Sequence, residues 1–374
     1  MTLSWQGARR VAHGSAAPLE PELVALSAAL GRVLAGPLQS LVDVPGVDTV
    51  AMDGWAVRGP GPWTVVGASA AGGPALELGE GDAVDVATGS QLPGGATGVL
   101  RREDGSQPEG RLTGRARDTD VRPRGEQCRA GEVVLPTGTR LGPPALGLAA
   151  AVGADHLRVV RRARVAAVIL GDEVTGSGAP AAGQVRDSLG PQLPGWVAHL
   201  GGQLVGSTRV PDDRAGTVSA LGVDADVVVV TGGTSGGRGD HLRPALSALG
   251  AELLVDSVDV RPGHPMLLSR LPAGTLVVGV PGNPLAAVAA LTTLLWPLLD
   301  GLLGRVLAVP PCVQATGLSP PSQGVALVPC DLEGGTVSPV GYSGPAMLRG
   351  VAMADGLAAV GADGSVLWLA FPWA

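Results

Sequence analysis

The segment Thr231-Gly232-Gly233-Thr234-Ser235-Gly236-Gly237 packs three hydroxyls and four glycines into seven residues. Glycine lets a backbone approach a ligand closely and adopt positive φ. Backbone N–H groups and hydroxyls can then converge on an anion. Arg238 and Asp240 add one charge of each sign. The same segment also reads as a flexible turn between a strand and a helix. It matches neither G-x-G-x-x-G nor the G-K-[ST] ending of a P-loop, and the chain contains no lysine at all. Three further short stretches carry chemistry. Gly171-Asp172-Glu173 offers carboxylates suited to a metal, to acid–base work or to a helix cap. Pro211-Asp212-Asp213 offers two more. In Pro281-Gly282-Asn283-Pro284, Asn283 can cap a helix that has Pro284 at its first position. Asn283 is the sole asparagine of the chain, and a cap alone would accept Ser or Asp, so its position points to an added ligand role. Earlier in the chain, Asp53-Gly54 reads as a hairpin tip, and Thr88 as a ligand hydroxyl or a turn former.

These stretches need elements to position them. Arg164–Leu170, Leu204–Val210, Val227–Val230 and Thr275–Val280 read as strands, and each is followed by one of the four polar loops. The β-branched run at 227–230 suits a strand buried on both faces. Helices are expected over 187–200, ending near 250, and over 284–303. Alternation from 164 to 303 implies a doubly wound parallel sheet, whose ligands bind at the carboxyl ends of its strands. Pro21–Ala35 shows helical spacing and is expected to be the first helix, and 143–152 a short one. Residues 60–125 suggest a small β domain, 253–260 one extended run, and 311–374 a C-terminal β domain.

The chain has 374 residues with 45% hydrophobic and 16% charged content, enough for several packed domains. A net charge of −7 argues against a nucleic-acid partner. The three cysteines form no C-x-x-C pair, which fits a reducing compartment and no structural zinc. The N-terminus lacks the apolar core of a signal peptide, and the apolar stretch 285–304 contains Pro297 and Asp300 and reads as a buried helix. A cytoplasmic protein without a membrane partner is expected.

In their order and spacing, MDGWA (52–56), ATGSQLPGGAT (87–97), GDE (171–173), GQVRDS (183–188), PDD (211–213), TGGTSGGRGD (231–240), RPGHP (261–265) and VPGNP (280–284) resemble the molybdopterin molybdenumtransferases of the MoeA/gephyrin E-domain family. The resemblance covers essentially the whole chain. It implies a multidomain α/β protein: an N-terminal helix and stalk (1–42 and 126–162), an inserted β domain (43–125), a MogA-like molybdopterin-binding domain (163–303) and a C-terminal β domain (304–374). It implies a homodimer that inserts molybdate into adenylylated molybdopterin, with Mg²⁺ as cofactor and AMP released. Asp53, Thr88, Glu173 and Asp240 would be catalytic, with Glu173 and Asp240 on the metal. Asp212, the loop from Thr231 to Gly236, Arg261, His264, Pro281, Gly282, Asn283 and Pro284 would bind substrate.

The chain departs from the family pattern where positive charge is expected. Arg261 and His264 stand in place of lysines, Ser257 replaces another lysine, and Gln127 replaces an aspartate. Arginine is not an isosteric exchange for lysine, and histidine makes a fixed charge conditional. A non-catalytic protein that binds and carries molybdopterin or the finished cofactor is therefore the competing expectation. The related molybdopterin adenylyltransferase ranks last, because it needs neither residues 1–160 nor the C-terminal β domain.

Overall fold

A computed structural model describes residues 2–74, 76–237 and 239–373; Arg238 lies outside the described residues. The chain forms two compact units. The larger comprises Met1–Glu22, Gly31–Ala35 and Val159–Ala374, and the smaller Leu23–Leu30 and Gly36–Arg158. Residues 1–22 of the expected stalk segment thus belong to the larger unit.

The larger unit is built on a six-stranded sheet. In chain order its strands are β1 (Arg164–Leu170), β2 (Gln203–Val210), β3 (Val227–Thr231), β4 (Glu252–Val255), β5 (Leu267–Arg270) and β6 (Leu276–Val280), arranged 2-1-3-6-5-4. The first four of that order run parallel, and Val227–Val230 is fully buried, as a β-branched run covered on both faces requires. At the other edge β5 is antiparallel to both β6 and β4. The cause is local: a tight turn at 271–275, closed by Leu271 N–H to Thr275 O and Gly274 N–H to Leu271 O, joins β5 directly to β6 without a crossover helix.

Three expectations are corrected by packing. Pro21–Ala35 is not the first helix. Pro21–Ala25 is a strand that pairs with His156–Val160, followed by a short 3₁₀ turn at Leu26–Ala28. The helical spacing does not give one buried face: Leu23 is 70% exposed and Leu30 54%, whereas Val33 and Leu34 are buried. The first helix is Trp5–Gly14, N-capped by the Ser4 hydroxyl. Second, the run 253–260 is not continuous. Arg243 binds both the carboxylate and the carbonyl of Asp256. At that point the chain leaves β4, and Ser257–Arg261 joins a different, seven-stranded sheet with Thr2–Ser4 and the C-terminal strands. Third, the helix expected from 187 begins only at Leu193, because the Asp187 carboxylate holds the N–H groups of Leu189 and Gly190 in a turn.

Pro284–Leu302 is a continuous helical run, α from 284 to 290, π from 291 to 295 and α from 296 to 302. It is apolar and long enough to cross a membrane, but 94% of it is buried inside the protein. The π segment has outside partners: the buried Arg9 guanidinium donates to the Thr292 carbonyl (2.8 Å), and Trp5 Nε1 donates to Thr293 Oγ1 (3.0 Å). Bonds of this kind compensate a break in the helical ladder. Close contact between this run and Trp5–Gly14 depends on Gly301, where a Cβ would lie 2.1 Å from the His13 carbonyl oxygen.

The smaller unit holds a four-stranded sheet, Thr64–Ser69, Asp82–Val86, Gly54–Val57 and Gly98–Arg101 in spatial order, with Trp55, Trp63, Leu100 and Leu112 in one of its cores. Leu38–Gln39 pairs with Val133–Leu135 elsewhere in the unit.

Gly301→Ala tests the helix contact. Alanine raises helix propensity by about 1 kcal/mol, whereas overpacking costs about 1–3 kcal/mol and here strikes backbone rather than a movable side chain. The clash should win and the melting temperature should fall; an unchanged or higher melting temperature contradicts this packing.

Candidate functional site

Strand register brings the polar loops of the larger unit together. Thr231 lies opposite Ile169 on one side and Val280 on the other, and Leu170 lies opposite Val210. The loops after β1, β2, β3 and β6 therefore leave the sheet at one edge. They wall a cavity of about 660 Å³, within the usual range for small-molecule sites. Glu173, Asp212, Thr231, Gly232, Gly233, Ser235, Asp240, Gly282, Asn283 and Pro284 all line it. Thr234, Gly236 and Pro281 belong to the same loops but are not among the lining residues.

The glycine loop is shaped by backbone conformation. Gly232 and Gly233 have φ of 86° and 66°, a region that disfavours side chains. At Gly233 a Cβ would also crowd Leu170 Cδ1 at 3.2 Å. Gly232 donates its N–H to the Val280 carbonyl (2.9 Å), which ties this loop to the 281–284 loop. Asp240 folds back on the same loop: its carboxylate accepts the Gly237 N–H at 2.7 Å. Thr231 and Thr234 are buried, and the Thr234 hydroxyl has no hydrogen-bond partner among the described residues.

The first two loops lock to each other through Asp172, a residue whose part sequence reasoning missed. Asp172 N–H donates to the Asp212 carboxylate (3.3 Å) and Asp212 N–H to that of Asp172 (3.2 Å). The doublets Asp172-Glu173 and Asp212-Asp213 carried the signal, but only the sheet register shows that they face each other. Asp213 is a cap, accepting the Gly216 N–H at 2.7 Å at the start of the next helix.

Asn283 occupies the N-cap position before Pro284, yet its side chain makes no capping bond. The Pro345 carbonyl takes that role, accepting from Leu285 N–H (2.9 Å) and Ala286 N–H (3.4 Å). The Asn283 amide is left exposed at the cavity. The following residue of the Pro345 loop, Ala346, lines the cavity as well.

The remaining expected residues lie elsewhere. Arg261 ends a strand of the seven-stranded sheet and is exposed. His264 Nδ1 donates to the Val258 carbonyl at 2.8 Å. Neither lines the cavity. Ser257 shares a 2.8 Å hydrogen bond with the Thr2 hydroxyl. In the smaller unit Asp53 and Thr88 are in contact: one carboxylate oxygen of Asp53 accepts the Thr88 N–H (2.7 Å) and the Thr88 hydroxyl (3.0 Å). Those two bonds, backbone first, hold the Asp53 carboxyl below the ordinary aspartate range, aided by the charge of Arg102.

Among the described residues no three His, Cys, Asp or Glu side chains form a ready metal cage. Mg²⁺ in general takes one or two carboxylates and completes its shell with water and substrate phosphates. Glu173 and Asp240 supply such carboxylates at a cavity that also offers anion-binding backbone.

Residues 3–153 match the family model for the MoeA N-terminal region (domains I and II), and 166–301 match the probable molybdopterin binding domain. A curated molybdopterin molybdenumtransferase from Nostoc sp. is 32% identical over 305 residues, covering 76% of this chain and 70% of the relative. The chain belongs to the MoeA family. A second relative, molybdopterin molybdenumtransferase 2 of Mycobacterium tuberculosis, is 32% identical over 76% of each chain. The crystal structure of a molybdopterin biosynthesis MoeA protein from Pyrococcus horikoshii matches with a TM-score of 0.79 and 27% identity, covering 99% of this chain and 97% of the other. The MoeA fold thus holds across both units, and membership makes the chain a transferase of molybdenum cofactor biosynthesis.

The Asp53–Thr88 contact is testable by titration. A carboxyl depressed in the folded state contributes stability above its unfolded pKa of about 3.9, and that contribution is lost as pH falls through the folded value. Thr88→Val keeps the backbone donor and deletes the hydroxyl donor. The Asp53 carboxyl followed by NMR should then titrate at higher pH than in the unaltered protein, though still below an unperturbed aspartate; superimposable curves contradict the assigned contact.

Proposed function

We propose that this MoeA protein inserts molybdate into adenylylated molybdopterin with release of AMP, by hydrolysis of a phosphoanhydride coupled to metal insertion. One observation carries the reading: a glycine loop and the carboxylates of Glu173, Asp212 and Asp240, from three strand ends, line one cavity. The loop from Thr231 to Gly236 would cradle a phosphate with its N–H groups, and Asn283 would add an uncommitted amide. Glu173 and Asp240 would hold Mg²⁺ against that phosphate, which neutralises charge on the leaving group. Asp53 and Thr88, being preorganised on each other, are proposed to complete a site. The curated relatives' name supports the substrate pair.

A carrier that binds molybdopterin without turnover is the second reading, favoured by serine and histidine at 257 and 264. One experiment separates the two. The full chain is incubated with adenylylated molybdopterin, Mg²⁺ and molybdate, and AMP is followed. Molybdate-dependent AMP release is expected; binding without release makes the protein a carrier. Asp240→Asn is the informative variant, because its amide oxygen can still accept the Gly237 N–H. It should keep the melting temperature and lose roughly 10²-fold or more in rate; full activity removes Asp240 from the chemistry.

We also propose a homodimer. In the smaller unit Leu23 (70% exposed), Leu41 (65%), Val133 (50%) and Val42 (46%) leave apolar surface that a second copy would cover. Sedimentation at micromolar concentration should give twice the chain mass, and a monomer there contradicts the proposal.

A further inference from the structure

The strand-end cavity contains a cation, within the GQVRDS stretch, to which the site described above gives no role. Arg186 is the one basic side chain among its described lining residues, against four carboxylates at Glu173, Asp187, Asp212 and Asp240. It is carried by a short two-stranded flap beyond β1, in which Val174–Thr175 and Val185–Arg186 pair in parallel with Thr175 opposite Arg186. The flap is tied at both ends by backbone: Val185 N–H donates to the Glu173 carbonyl (2.9 Å) and Asp187 N–H to the Thr175 carbonyl (2.9 Å). Glu173 and Arg186 are thereby fixed on the two strands of one small platform.

Most of the cavity's carboxylates are already engaged. Asp187 accepts from Leu189 and Gly190 N–H and pairs with Arg209 at 3.1 Å. Asp212 is bonded to the backbone of Asp172, and Asp240 to that of Gly237. Arg186 stands apart from all of them. Its one bond among the described residues is a long 3.5 Å contact to the Thr175 carbonyl, and it forms no ion pair. Paired with none of the four carboxylates among the described residues, Arg186 leaves most of its planar five-donor fork uncommitted. That fork suits bidentate binding of a tetrahedral oxyanion.

We infer that Arg186 is an oxyanion-binding residue of this site, holding the substrate's phosphate group or the molybdate. The assignment rests on the transferase reading for the identity of the ligand, but not for the chemistry of the contact. It also answers the charge question raised by the sequence. With no lysine in the chain, and with Arg261 and His264 away from the cavity lining, Arg186 is the cation that offsets the anionic charge among the described lining residues.

The test measures binding of two probes, inorganic pyrophosphate and molybdate, separately by calorimetry on the full chain. Arg186→Ala should weaken at least one of them tenfold or more. Arg186→Lys should recover part of the loss, since an ammonium keeps the charge without the fork. Arg214→Ala removes an exposed arginine outside the lining and should bind like the unaltered chain. A loss for pyrophosphate assigns the contact to the substrate's phosphate, and a loss confined to molybdate assigns it to the metal oxyanion. The melting temperature of Arg186→Ala should not change, because the side chain is exposed and weakly bonded. Equal binding of both probes by Arg186→Ala, or no binding of either by the unaltered chain, overturns the inference. The outcome is independent of AMP release: a carrier without turnover would still show the Arg186-dependent affinity, and an active enzyme indifferent to Arg186 would sink this inference alone.

Discussion

The alignment of parallel strand ends is the constraint on which the site depends. Val168 and Ile169 face Val230 and Thr231, and these in turn face Gly279 and Val280. Residues 165–170, 227–231 and 276–280 are fixed by ladder hydrogen bonds and by burial on both faces. Residues 171, 212, 231 and 283 lie far apart in sequence, yet this register lets them share one wall. None of the loops needs intrinsic rigidity, because each starts from a strand that cannot shift.

A second level of order comes from the loops bonding to one another. Asp172 and Asp212 exchange backbone-to-carboxylate hydrogen bonds, Gly232 is held by Val280, and Asp240 closes its own turn. Carboxylates used in this way fix geometry before any ligand arrives, which lowers the ordering cost of binding. It also divides the acidic residues into those spent on loop shape and Glu173, whose side chain makes no hydrogen bond among the described residues. The C-terminal segment takes part through Pro345, whose carbonyl satisfies helix N–H groups that an Asn283 cap would otherwise have met.

Burial of charge elsewhere follows a different logic. Arg9 is 6% exposed and its pKa is pushed down to about 10 by desolvation, opposed by Asp300. Asp300 is itself pushed up by burial although Arg305 lies 2.7 Å away. Such groups cost desolvation energy and are held by specific partners. Their effect is to seat the Trp5–Gly14 helix against the long apolar helix in one position, with Gly301 giving the clearance.

The sequence by itself determined the four parallel strands of the central sheet, the polar loops after them and the buried character of 284–302, because these follow from periodicity, β-branched runs and glycine chemistry, all of which are local. Family membership was legible for the same reason, in eight short motifs kept in order. What periodicity could not settle was which apolar stripe had a core to face, and Pro21–Ala35 became strand and turn on that account. Nor could it show that Ser257–Arg261 enters a different sheet from the residues just before it. At the site, sequence supplied Glu173, Asp212, Asp240 and the glycine loop, but not the Asp172–Asp212 exchange, the Pro345 cap or an Arg186 without an ion pair among the described residues. Those are decided by distances between segments remote in the chain. Only the folded register fixes such distances, because a side chain's charge is local whereas its partner is set by the whole sheet.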